Sequence, residues 1–139
     1  MTNVELQTVG NEPSETALVR KFFDLVNSDE FDEAIDLLGE NVFYHNIPLP
    51  ELVGRENVRG FHQDFGIGSQ VRIDWQLTRI AQSGNAVLTE RMDIFRHENG
   101  AEIVLPIMGS MVVESGAITQ WRDYFDLGDF ERQAASFRP

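Results

Sequence analysis

Ala86-Val87-Leu88-Thr89-Glu90-Arg91-Met92-Asp93-Ile94-Phe95-Arg96-His97 is a run without glycine or proline, bounded on both sides by turn residues. It reads as one long strand. Successive strand side chains alternate between faces, so Val87, Thr89, Arg91, Asp93 and Phe95 point the same way. With Phe95 and Val87 on it, that face is expected to turn inward. An inward charge costs several kcal/mol, of the order of 2–7 even for a neutral polar group, unless it is paired or used in chemistry. Trp121-Arg122-Asp123-Tyr124-Phe125 repeats the misfit, because Asp123 shares a face with Trp121 and Phe125. Two inward carboxylates and one inward guanidinium point to a buried acid–base site.

Val71 to Gln82, Ala101 to Glu114 and Ala117 to Phe125 read as three further strands, with Ser83-Gly84-Asn85, Glu98-Asn99-Gly100 and Ser115-Gly116 as the turns between them. Ile73, Trp75 and Leu77 mark one face, and Ile103, Leu105 and Ile107 another. The first half differs in kind. Met1 to Pro13 is polar and aperiodic, and reads as a flexible tail before a single domain over residues 14–139. Ser14 is placed to cap a helix in which Leu18, Val19, Phe22, Phe23 and Val26 form one apolar stripe. A short second helix shows Phe31, Ile35 and Leu38, with Gly39 as its stop. Asn41 to Asn46 reads as a strand ended by Pro48 and Pro50, and Glu56 to Phe65 as a third helix with Val58, Phe61 and Phe65. Asp126 caps a last helix carrying Phe130, Ala134 and Phe137. Helices followed by a meander give an α+β class. Strands this long twist and curl, so helices packed on the concave face would close a cone around an apolar pocket.

Composition narrows the partners. The formal net charge of −12 over 139 residues argues against nucleic acid and anionic membrane. No apolar stretch reaches membrane-spanning length, and Met1 to Asn11 lacks the pattern of a signal peptide. The absence of cysteine removes thiol and disulfide chemistry and fits a cytoplasmic location. A single lysine, Lys21, lies beside Phe22 and Phe23 in the helical pattern, a poor setting for a Schiff base. His45, His62 and His97 have no metal-ligand spacing and read as surface or supporting residues. Gly66-Ile67-Gly68 lacks a preceding strand and reads as a loop. No Gly-x-Ser-x-Gly elbow is present.

If Asp93, Arg91 and Asp123 meet, the trio is neutral with one proton on one carboxyl. Repulsion and burial raise one pKa while the arginine holds the other down, leaving an acid and a base together. The planar guanidinium can donate to both carboxylates at once. Tyr44 and Asn46 share a face of the Asn41 to Asn46 strand. A water between them would donate to Asp123 and to the Asn46 carbonyl, accept from the Tyr44 hydroxyl, and keep one lone pair for an electrophile. By pattern alone each residue has a plainer reading: a structural ion pair for Arg91 and Asp93, a backbone-bonded strand end for Asp123, a core tyrosine for Tyr44.

Taken together, Tyr44-x-Asn46-x-Pro48-Leu49-Pro50, Gly54-Arg55, Thr89-Glu90-Arg91-x-Asp93 and Trp121-Arg122-Asp123-Tyr124-Phe125-Asp126 resemble the limonene-1,2-epoxide hydrolases, from about Glu15 to Phe130. The resemblance implies a cone-shaped, nuclear-transport-factor-2-like fold with a mixed sheet, usually dimeric. It also implies direct opening of an epoxide by water with no cofactor and no metal. Asp93 would be the acid toward the epoxide oxygen, Asp123 the base for water, Arg91 the bridge, and Tyr44 and Asn46 the water holders. Phe23, Val26, Phe95, Leu105, Ile107 and Phe125 are expected to wall the pocket around a small alicyclic or aryl epoxide. Two other classes compete. An isomerase or cyclase on this fold needs one base and an oxyanion hole, and has no use for an arginine between two aspartates. A non-catalytic binding domain would tolerate apolar residues at all three positions.

Overall fold

The structure, a computed structural model, describes residues 12–137; the expected tail before residue 12 lies outside them. Helix α1 (Ser14–Asn27) and the short α2 (Phe31–Ile35) lead into β1 (Leu38–Ile47) and a two-residue β2 (Leu52–Val53). After α3 (Arg55–Phe65) come β3 (Val71–Ser83), β4 (Ala86–His97), β5 (Glu102–Glu114) and β6 (Ala117–Tyr124), then α4 (Leu127–Ala134) and a 3-10 turn at Ala135–Phe137. The six strands form one curved, unclosed sheet in the order β2-β1-β6-β5-β4-β3. Every pairing is antiparallel except β1 with β6, so the sheet is mixed.

The alternation in β4 is realised along its length: Val87, Thr89, Arg91, Asp93 and Phe95 are all buried. Ile103, Leu105, Ile107 and Met111 of β5, and Ile118, Trp121 and Asp123 of β6, continue the inner face. The register shifts in three places, between Leu38 and Phe43 of β1, between Leu77 and Arg79 of β3, and at Thr119 of β6, the extra residue opposite Val112 and Val113 of β5. Each bulge lets a strand bend with the sheet without turning its apolar side outward. Helix α1 lays Val19, Phe22, Phe23 and Val26 into this face.

Two local expectations fail for physical reasons. Ser14 does not cap α1: Pro13, at φ −59° and ψ 153°, occupies the N-cap position, and Ser14 is the first helical residue, its hydroxyl 3.5 Å from the Glu15 carboxylate. Leu38 and Gly39 do not end α2 but begin β1, because Leu38 pairs with Ile118 and the Ile118 N–H donates to the Leu37 carbonyl. Pairing with a strand far along the chain outweighs the local helical spacing. The Asp126 cap forms as expected, its carboxylate accepting from the Asp129 N–H at 3.0 Å. Gly66, at φ +106°, closes α3 in the left-handed conformation that glycine adopts without strain.

Candidate active site

Register across the sheet assembles the site. Thr89 of β4 lies opposite Gly109 of β5, Gly109 opposite Asp123 of β6, and Asp123 opposite Asn46 of β1. Asp93 and Arg91 are on the same face of β4, opposite Leu105 and Ile107. To reach Asp123 the Arg91 side chain must cross β5, and it does so over Gly109. A Cβ there would clash with Asp123 Oδ1 and lie 2.7 Å from Arg91 Nη1 and 3.1 Å from Thr89 Oγ1. The space left by one missing side chain holds the guanidinium.

All five guanidinium N–H groups are used. Nε and Nη2 donate to Asp93 Oδ1 and Oδ2, both at 3.0 Å, while Nη1 and Nη2 donate to Asp123 Oδ1 and Oδ2 at 3.1 and 2.8 Å. The remaining Nη1 proton goes to Thr89 Oγ1 at 3.0 Å. Arg91, Asp93 and Asp123 are 2%, 1% and 4% exposed, so these bonds meet little competition from water. The ring of Phe23 lies 4.8 Å from the Arg91 carbon and closes the site from behind. Burial raises the Asp93 carboxyl from 3.8 to about 6, although Arg91 pulls the other way. Burial opposes the Arg91 charge, but the two aspartates more than offset it and the guanidinium is held protonated.

The carboxylates open into a cavity of about 560 Å³ lined by Tyr44, Asn46, Trp75, Phe95, Leu105, Ile107 and Phe125, with Phe65, Phe130 and Phe137 from α3, α4 and the last turn at its sides. Phe23 and Val26, expected on the wall, are not part of it. They are 1% exposed in the core behind Arg91, because the α1 stripe packs onto β3 and β4 rather than into the opening. Tyr44 is buried, and burial together with the charge of Asp123 raises its hydroxyl well above the ordinary value of 10.0, so it keeps its proton. Among the described residues no group of three or more His, Cys, Asp or Glu converges as a metal-ligand set.

Two contributors escaped the sequence reading. Gly109 had no signal beyond its place in a strand, and only pairing on both sides reveals it. His62 is not a surface residue: it is 4% exposed, lines the cavity, lies 3.4 Å from the Tyr44 hydroxyl and stacks on Trp121 at 5.5 Å and 6°. Its signal was helical, since His62 follows Val58 by four residues and both are buried on α3.

Comparison with known proteins agrees with the fold and the family. The structure is similar to that of an epoxide hydrolase of the limonene-1,2-epoxide hydrolase type from Mycobacterium tuberculosis, with a TM-score of 0.76 and 26% identity, covering 88% of this chain and 90% of that one. It also resembles a nuclear-transport-factor-2-like protein of unknown function from Burkholderia pseudomallei (TM-score 0.77, 14% identity, 88% and 98% covered). The architecture is therefore that of the nuclear-transport-factor-2-like α+β fold. In sequence, residues 13–136 match the limonene-1,2-epoxide hydrolase catalytic domain, and 119 residues are 33% identical to epoxide hydrolase EphG of Mycobacterium tuberculosis, covering 80% of this chain and 72% of that protein. The chain belongs to the limonene-1,2-epoxide hydrolase family.

Proposed function

We propose that the protein adds water to a small hydrophobic epoxide, alicyclic or aryl, to give a vicinal diol in one step without a covalent intermediate. The observation that carries this reading is the single guanidinium doubly bonded to two buried carboxylates, one of them raised to about 6, at the wall of an apolar cavity. Asp93 donates its proton to the epoxide oxygen as the carbon–oxygen bond breaks. Asp123 takes a proton from a water held with Tyr44 and Asn46, and the water oxygen bonds to the ring carbon. The trio ends with its total charge unchanged and the proton on the other aspartate, so a return transfer resets it. Acid and base each supply about 10²–10⁴-fold. Tyr44, Asn46, Asp93, Arg91 and Asp123 thus have the catalytic roles, and Phe95, Leu105, Ile107 and Phe125 the contacts with the apolar substrate.

The same reading includes no metal and no cofactor, one domain over residues 14–139, and a homodimer. The exposed Val104 and Met108 of β5 and Tyr124 of β6 on the outer sheet face are a suitable surface for the second copy. The cyclase alternative has a fold-level basis, since a candidate polyketide cyclase from Xanthomonas campestris shares the fold at a TM-score of 0.76. Its chemistry leaves Arg91 without a task. A single turnover with cyclohexene oxide in water carrying heavy oxygen tests the reading. The label should enter the diol and not the protein, whereas label in an aspartate would mean a covalent ester.

A further inference from the structure

His62 makes two hydrogen bonds that fix its proton. Nδ1 lies 2.8 Å from the Val58 carbonyl, which can only accept, so Nδ1 carries the hydrogen. Nε2 lies 3.4 Å from the Tyr44 hydroxyl. Burial lowers this histidine from 6.5 to about 4, so near neutral pH the ring is uncharged and Nε2 presents a bare lone pair. A lone pair cannot donate, hence the Tyr44 O–H must. A half-turn of the ring would put carbon against both Val58 and Tyr44, so the two bonds fix its orientation, while Trp121 stacked on one face, with Phe31 and Phe61 around it, holds the ring plane.

We propose that His62 is a positioning residue that sets the direction of the hydrogen bonds around the attacking water by claiming the Tyr44 proton. The proposal rests on the epoxide hydrolase reading and reverses one of its details. With its proton directed at His62, Tyr44 has only lone pairs to offer the cavity, so the water donates to Tyr44 rather than accepting from it. Its second proton goes to Asp123, the base. Both protons are then spent, and Asn46 can hold the water only by donating from its amide nitrogen. One water lone pair accepts from Asn46 and the other is aimed at the epoxide carbon. The net effect is a water with three fixed bonds and one free lone pair, which is the preorganisation that direct attack requires.

Nitrogen-15 spectra of the histidine-labelled wild-type protein at neutral pH test the tautomer. A protonated Nδ1 and bare Nε2 on His62 are expected, and a protonated Nε2 would overturn the proposal. Kinetics with styrene oxide test the consequence. His62→Phe keeps the stacking and His62→Asn keeps a donor toward Val58, but neither accepts from Tyr44. Both should lose about five- to tenfold in kcat, the value of one hydrogen bond, with KM within about twofold. His62→Gln can place a carbonyl oxygen near the Nε2 position and should recover to within about threefold of wild type. Wild-type kcat in His62→Phe, or equal loss in all three variants, would refute the role. Asp123→Asn in the same assay separates the two levels of argument. If it is inactive while His62→Phe is fully active, only the positioning role fails; if Asp123→Asn is itself fully active, the hydrolase reading fails and takes this inference with it.

Discussion

Replacing Gly109 by alanine adds one methyl group at the most crowded point of the site. Backbone strain plays no part, because Gly109 lies in a regular strand. The methyl would overlap Asp123 Oδ1 and sit 2.7 Å from Arg91 Nη1, where an unstrained contact needs about 3.5 Å. The backbone cannot retreat, being paired to Thr89 on one side and Asp123 on the other. The side chains must therefore move by about 1 Å, which stretches the 3.1 Å bond from Arg91 Nη1 to Asp123 past hydrogen-bonding length. Overpacking of this kind costs about 1–3 kcal/mol, and the weakened buried ion pair adds to it, since losing a partner outright costs about 3–5 kcal/mol. We expect a folded protein destabilised by about 2–4 kcal/mol in urea unfolding, with turnover lowered at least about a hundredfold by the displaced base. Gly60→Ala is the control: nothing lies within 4 Å of its added methyl, so this change in α3 should be neutral or stabilising by up to about 1 kcal/mol. Wild-type stability and turnover in Gly109→Ala would show that Arg91 and Asp123 do not need the geometry described.

Asp93→Asn and Asp123→Asn should each lower kcat by about a hundredfold or more, with the double variant little worse than either, as measured by steady-state kinetics. Arg91→Lys keeps the charge but not the five-donor fork, so low turnover with a folded circular dichroism spectrum is expected; an active variant with unchanged pH dependence would reduce Arg91 to charge balance. The pH–rate profile of kcat/KM should be level between about 4 and about 6, where Asp93 holds its proton and His62 is uncharged, and fall about tenfold per unit above 6. Stability carries two opposite pH terms. The Asp93 contribution, raised from 3.8 to about 6, is complete below 3.8 and lost as pH rises through about 6. The His62 contribution, lowered from 6.5 to about 4, is complete above 6.5 and lost as pH falls through about 4. Removing the first with Asp93→Asn should expose the second, a loss of about 3 kcal/mol by urea unfolding between pH 6.5 and 4. A flat profile there would mean that His62 is not held neutral in the fold.

Period-two alternation in β4 and the turns on either side of it were sufficient to place Arg91 and Asp93 on one face, because side-chain direction in a strand is a local property. The same holds for the apolar stripe of α1 and for the Asp126 cap, each decided by neighbours within a few residues. The parallel β1–β6 pairing was not local. It alone sets Asn46 beside Asp123, and it drew Leu38 and Gly39 out of a helical pattern into a strand. Phe23 and Val26 have the spacing of an inward face, but inward meant behind the arginine rather than into the cavity, and spacing cannot tell the two sides of a buried group apart. His62 and Gly109 show the limit most plainly. A histidine on a helix meets a carbonyl and a hydroxyl at once only when Val58 and Tyr44 surround it, and a strand glycine leaves useful space only when an arginine two strands' width from its target crosses over it. Sequence determined which side chains share a face of a strand or helix; tertiary structure decided which face is buried and what each side chain meets there, since contact across a sheet depends on register between distant segments.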